Sequence, residues 1–195
     1  MNSNTIDQVV GATRRWLERA VIGLGLCPFA AGVHAAGQIR FAVSEQRCPA
    51  GLIGDLRAEL LRLHAAEAMR CETTLLIHPY ALQDFIEFNE FLGDCDQAIA
   101  DLGVGGHVQI ASFHPQYQFA GSRPEDIENY TNRSPYPTLH LLREASVERA
   151  VAARADPAGI YRQNIATMRA LGQDGWRRLW EPDAVRKAPD LGESS

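Results

Sequence analysis

Three short apolar runs, each parted from the next by one helix-length amphipathic segment, constrain this chain more than any other feature. Gln38 to Ser44 (QIRFAVS) alternates as a half-buried strand does, with Ile39, Phe41 and Val43 on one face. Thr73 to His78 (TTLLIH) is nearly continuously apolar, the pattern of a strand covered on both faces. Val108 to Phe113 (VQIASF) is the third run. Between the first two, Pro49 opens a helix reaching Met69, apolar at Leu52, Ile53, Leu56, Leu60 and Leu63. Between the second and third, residues 81–102 place Leu82, Phe85, Ile86, Leu92, Cys95 and Ile99 on one helical face. Strands joined by single long helices make right-handed crossovers, which leave the strands parallel.

The flanking segments complete the reading. Thr5 is placed to cap a first helix that buries Ile6, Val9, Thr13, Trp16, Leu17, Ala20, Val21 and Leu24. A fourth strand, Thr138 to Glu144, follows the third without a crossover helix, so it is expected antiparallel and at an edge. Ser146 caps a short helix, and Asp156-Pro157 starts a last one that Gly172 closes. The expected fold is α/β: a single globular domain over residues 1–180 with a mixed, mostly parallel sheet of about four strands packed by helices. Residues 181–195 are polar and carry Pro and Gly, and a flexible tail is expected there.

Between the third and fourth strands, Pro115 to Pro137 shows neither helical period nor strand alternation. A structureless loop beyond about 12–15 residues is uncommon in a compact domain unless it is functional or disordered. This one carries Tyr117, Phe119, Tyr130 and Tyr136, aromatic residues that a solvated linker lacks. It reads as an ordered loop lining a pocket.

Bulk properties exclude several classes. Net charge is −5, and no run of Lys and Arg forms a stripe, so a nucleic-acid partner is not expected. No segment approaches the ~20 apolar residues of a membrane span, and no leader pattern opens the chain, so a cytoplasmic protein without a membrane partner is expected. The four cysteines, at 27, 48, 71 and 95, form no CxxC pair and no zinc-ligand spacing. Gly103-Val-Gly-Gly106 precedes a strand, the wrong side for a dinucleotide fingerprint. Neither a cofactor nor a metal is expected, and the oligomeric state is left open.

Two strands end alike, in Ile77-His78-Pro79 and Phe113-His114-Pro115. Proline holds the preceding histidine extended, which puts each at the carboxyl end of its strand, where open α/β sheets bind ligands. If the two strands are neighbours, both imidazoles can meet one ligand; otherwise each ends its strand and bonds a nearby carbonyl. Cys27 leaves the first helix through Gly23-Leu-Gly-Leu and is either a nucleophile, with His114 as its base, or a small core residue. In the loop, Arg133 can grip an anion in bidentate fashion. Asn129, Asn132, Tyr117 and Tyr130 either contact a ligand or hold the loop's own backbone. Arg143 and His140 sit on the last strand. A convergence of His78, His114, His140, Asp84 and Glu87 would supply metal ligands, though no HExxH or HxH run is present.

Gly25-Leu-Cys-Pro-Phe-Ala30, Ile77-His-Pro-Tyr80, the run Ala111 to Gly121 (ASFHPQYQFAG) and the run Asn129 to Glu144 (NYTNRSPYPTLHLLRE) resemble the Domain of Unknown Function 1415 family. The likeness runs from the first helix to about residue 180. It implies a small soluble protein of bacterial type and supplies no reaction. From the residues themselves the expected function is an enzyme acting on a small polar or anionic metabolite, with His78 and His114 as acid and base. A non-catalytic binding or assembly module and a metal-dependent hydrolase or oxygenase are the alternatives.

Overall fold

The computed structural model describes residues 3–152 and 159–181. The helix start expected at Asp156-Pro157 and the tail expected after Glu181 lie outside the described residues. Helix α1 (Ser3–Trp16) passes directly into a π-helical segment, Leu17–Ile22, and a short α2 (Ala30–Ala35) follows. Then come β1 (Ile39–Val43), α3 (Pro49–Ala65), β2 (Thr73–Ile77), α4 (Phe85–Asp101) and β3 (Val108–Phe113). A 3-10 turn at Ile127–Thr131 interrupts the long loop before β4 (Thr138–Arg143), α5 (Glu144–Ala152) and α6 (Gly159–Arg178).

The sheet order is β1-β2-β4-β3, and here the expectation of a mostly parallel sheet is corrected. Only β1 and β2 pair in parallel; β4 pairs antiparallel with both β2 and β3. The two crossover helices do make β1, β2 and β3 point the same way, but β4 enters the gap between β2 and β3 instead of an edge. The residues explain this placement. β4 buries both faces, with Leu139 and Leu141 on one side and Thr138 and Leu142 on the other, whereas β3 keeps Gln109 exposed. A strand apolar on both faces belongs inside a sheet.

Two helical layers cover the sheet. On one face Leu52, Leu56, Leu60 and Leu63 of α3 meet Phe88, Phe91, Cys95 and Ala98 of α4 over Leu76, Leu139 and Leu141. The α4 N-terminus is capped by Asp84, whose carboxylate accepts from the backbone N–H groups of Ile86 at 2.8 Å and Glu87 at 3.1 Å. On the other face Val9, Trp16, Leu17, Ala20 and Val21 lie against Phe41, Leu75, Ile77 and Phe113. Gly172 closes the first part of the last helix as expected, at φ 63° and ψ 177°, and a second helical stretch follows it to Arg178. The resumed turn carries Trp176 back toward the end of α1.

Candidate functional site

The alternation of β2 and β3 decides where the two histidines go. Ile77 and Phe113 face α1, so His78 and His114 turn to the opposite face and approach Phe88 of α4. Ring centroids lie 5.7 Å apart for His78 and Phe88 and 5.1 Å for Phe88 and His114. Strands separated by β4 stand roughly 10 Å apart, and the Phe88 ring packs on both imidazoles. Both histidines are fully buried.

Their partners are consecutive carbonyls of one turn. His78 Nδ1–H donates to the Ala81 carbonyl at 3.0 Å, and His114 Nε2–H donates to the Leu82 carbonyl at 3.2 Å. These contacts assign the tautomers, because only a protonated ring nitrogen can face a carbonyl. The backbone N–H of Gln116 then donates to His114 Nδ1 at 3.0 Å. Leu82 sits at φ 55°, a left-handed conformation a leucine adopts only under constraint. The two rings therefore pin the strained turn that starts α4. Burial pushes the His78 ring down to about 4, with His114 nearby adding to the effect. Burial also lowers His114. Among the described residues His78 Nε2 meets no hydrogen-bond partner.

A cleft of about 630 Å³ lies on the other side of the loop, beside Pro115. Arg15 of α1, Arg19 of the π segment and Arg133 of the loop line it, and none of the described residues lining it is acidic. Its remaining walls include Trp16, Tyr130, Ser134, Trp176 and Trp180. These are all three tryptophans of the chain. The π segment sets the two α1-side arginines: Gly23 N–H and Leu26 N–H bond five residues back, to Glu18 and Val21 carbonyls. Such widened turns occur often at functional sites. Gly23 is required there, since a Cβ would clash with the Arg19 carbonyl.

Of the residues singled out in the sequence, Arg133 and Tyr130 line this cleft. Arg133 lies 4.1 Å over the Tyr130 ring and donates to the Tyr117 carbonyl at 3.2 Å and the Pro124 carbonyl at 2.5 Å. It also lines a second cleft of about 590 Å³, near the start of α4. Asn129 is buried and holds the loop: it donates to the Arg123 carbonyl at 2.7 Å and accepts from Phe119 N–H at 3.0 Å and Ser122 hydroxyl at 2.7 Å. Asn132 donates to the Ser112 carbonyl at 3.2 Å. Tyr117 packs on Phe85 and Phe119, and burial raises its phenol. Cys27 is half-buried in the Trp16 cluster, on the opposite face of the sheet from His114. Arg143 donates to the Leu63, Ala66 and Cys71 carbonyls at 2.7, 2.5 and 3.2 Å, closing the C-terminus of α3.

A polar cluster surrounds the end of β4. Thr73 hydroxyl donates to the Leu141 carbonyl at 2.6 Å and accepts from His140 Nε2–H at 2.7 Å. His140 keeps some surface exposure, yet enough protein surrounds its ring to push it down to about 4. Beside it Ser146 donates to the Glu72 carboxylate, which also faces Arg143 and Arg149 at 3.8 and 3.5 Å. Polar groups gathered in this way are consistent with a ligand-binding site. His140 stands on the face opposite His78 and His114, so the five residues considered together as metal ligands do not converge. Among the described residues no three His, Cys, Asp or Glu side chains are grouped to hold a metal ion. Among those residues, too, no helix is long and apolar enough to cross a membrane.

Arg15, Arg19, Trp176 and Trp180 were not singled out in the sequence, and Trp16 was named only as a core residue of the first helix. The signal that finds them is spacing: Arg15 and Arg19 stand four apart around a buried Trp16, and Trp176 and Trp180 are again four apart.

The model of a family described as "Protein of unknown function (DUF1415)" matches residues 8–178. No curated protein and no solved structure matches the chain.

Proposed function

The chain belongs to the DUF1415 family, and for this member we propose that the cleft between α1, the long loop and the end of α6 binds a small anionic metabolite. One observation carries the reading. A chain of net charge −5 lines a cleft of about 630 Å³ with three arginines and no described acidic residue. Like charges are brought together only at a cost, which an anion bound among them offsets. A volume of about 630 Å³ falls within the range of small-molecule pockets. The site also lies beyond the carboxyl end of β3, where α/β sheets place their ligands.

In this reading His78 and His114 are positioning residues. Their rings are neutral, enclosed and committed to the turn before α4, so they act on the site through Pro115 and the loop that follows. Asn129 and Asn132 do the same from within the loop. Titration with inorganic pyrophosphate, followed by the emission of the three cleft tryptophans, tests the proposal. Saturable quenching that Arg15→Gln weakens about tenfold is expected, the scale of one charge-assisted contact. Emission unchanged at millimolar pyrophosphate removes the reading.

A further inference from the structure

The arginines and the rings of this cleft ask for different things of one ligand. Resting on the anion-binding reading above, we infer that the ligand is a nucleoside monophosphate, a flat aromatic ring carrying a phosphate.

The argument begins with the donors. A guanidinium carries five N–H groups in a rigid fork that matches carboxylate or phosphate oxygens. Arg15 makes no hydrogen bond to a described residue, and no described residue accepts from Arg133 Nη1. Arg19 uses Nη1 to hold the carbonyls of Leu179 and Glu181 at 2.9 and 3.0 Å, which ties the last turn of α6 to the cleft wall. The N–H groups of Arg15 together with those on Arg133 Nη1 outnumber the roughly four acceptor sites of a carboxylate, and a phosphate monoester presents three oxygens.

The rings then set the rest of the molecule. Trp16 is the floor, 2% exposed and held edge-on to Phe113 at 5.1 Å. Trp176 stands between Tyr130 and Trp180, with centroids 5.2 and 5.3 Å away and both pairs T-shaped. Arg133 already covers Tyr130 at 4.1 Å. Trp180 ends this chain of rings and is 40% exposed, an indole with much of its surface turned to solvent. An exposed tryptophan at the lip of an arginine-lined cleft is a stacking platform for a base, as in proteins that bind nucleotides through aromatic rings. Simple anions leave that ring unused.

The test separates the two claims. Adenosine, guanosine, cytidine and uridine 5′-monophosphates are titrated beside inorganic phosphate and adenosine, with tryptophan emission and calorimetry as readouts. At least one nucleotide is expected to bind about tenfold more tightly than phosphate, the scale of one stacked base. Trp180→Leu should bring nucleotide affinity down to that of phosphate measured on the same variant, while Arg15→Gln weakens nucleotide and phosphate together. If every nucleotide matches phosphate, the ring is not recognised and this inference fails, although the anion reading survives. If adenosine binds as well as its monophosphate, or if neither nucleotides nor phosphate bind, the anion reading fails and takes the inference with it.

Discussion

Acid should unfold this protein through its neutral histidines, and His78 isolates the effect. The ring is fully buried, its Nδ1 proton faces the Ala81 carbonyl, and burial pushes its pKa from 6.5 to about 4. A group whose pKa falls on folding binds more protons in the unfolded chain, so stability rises with pH. Its full value is present above the unfolded pKa near 6.5 and declines as pH falls toward about 4. Integrated between about pH 7.5 and about pH 5, the loss from this one ring is about 2 kcal/mol. His140, also pushed to about 4, adds a loss of the same sign, and His114 shifts in that direction too. Against a total of about 5–15 kcal/mol for an ordinary domain, these rings alone move the unfolding transition far toward neutral pH.

The variant that isolates the effect is His78→Asn. Asparagine places an amide nitrogen near the position of Nδ1, keeps a donor for the Ala81 carbonyl and cannot titrate. It leaves space beside Phe88, so it will be less stable than the parent at neutral pH. The informative quantity is the change with pH. Urea unfolding of both proteins at about pH 7.5 and about pH 5 should show the parent losing about 2 kcal/mol more than the variant. Equal losses would mean that His78 is not held neutral, and the clamp on the Ala81–Leu82 turn would have to be abandoned.

Three other substitutions test neighbouring parts of the site. Asn129→Ala strips partners from Phe119 N–H, Ser122 and the Arg123 carbonyl, and a melting curve should register a loss of about 2–3 kcal/mol. Gly23→Ala drives a methyl into the Arg19 carbonyl, opening the π turn; pyrophosphate affinity should fall along with a stability loss of about 1–3 kcal/mol in urea. Arg143→Met uncaps α3 at Leu63 and Ala66 and leaves buried Glu72 with the Ser146 hydroxyl and the exposed Arg149 beside it, for about 3–5 kcal/mol by denaturant titration.

Much of the fold was legible because the periodicities were strong. Three strand runs and the two crossover helices stand close to where alternation and helical spacing put them. However, α3 stops at Ala65 instead of reaching Met69, α4 starts only at Phe85, and Ile86, expected on the buried face, is exposed. The sheet order was not legible, because local pattern says how a strand is covered and not which neighbour covers it. TLHLLR did hold the clue: apolar on both faces, it asked for a central slot, and the missing crossover helix drew attention to its direction instead. Of the residues lining the cleft, the loop's composition had singled out Arg133 and Tyr130. The three tryptophans were not readable as part of it, since Trp16 reads as a core residue, and Trp176 and Trp180 follow a glycine that marks a helix end. Only packing reveals that Gly172 turns the chain back over the cleft.

Topology also says why the loop is long. β3 and β4 are antiparallel neighbours, with Phe113 paired to Thr138, and two residues suffice to join such a pair. Everything between Pro115 and Pro137 beyond that minimum is unnecessary for the sheet. Those residues are nonetheless fastened at every turn: Asn129 to Arg123, Asn132 to Ser112, Arg133 to Tyr117, and Glu128 to Arg169 of α6 at 2.7 Å. Ordering a residue costs about 1–2 kcal/mol of backbone entropy, so a loop this size is held against a large opposing term. What the fastening achieves is the placement of Arg133 and Tyr130 opposite Arg15 and Trp16. The histidines that seal the far side and the arginines that line the near side are thus two ends of one device, a loop whose rigidity serves the cleft.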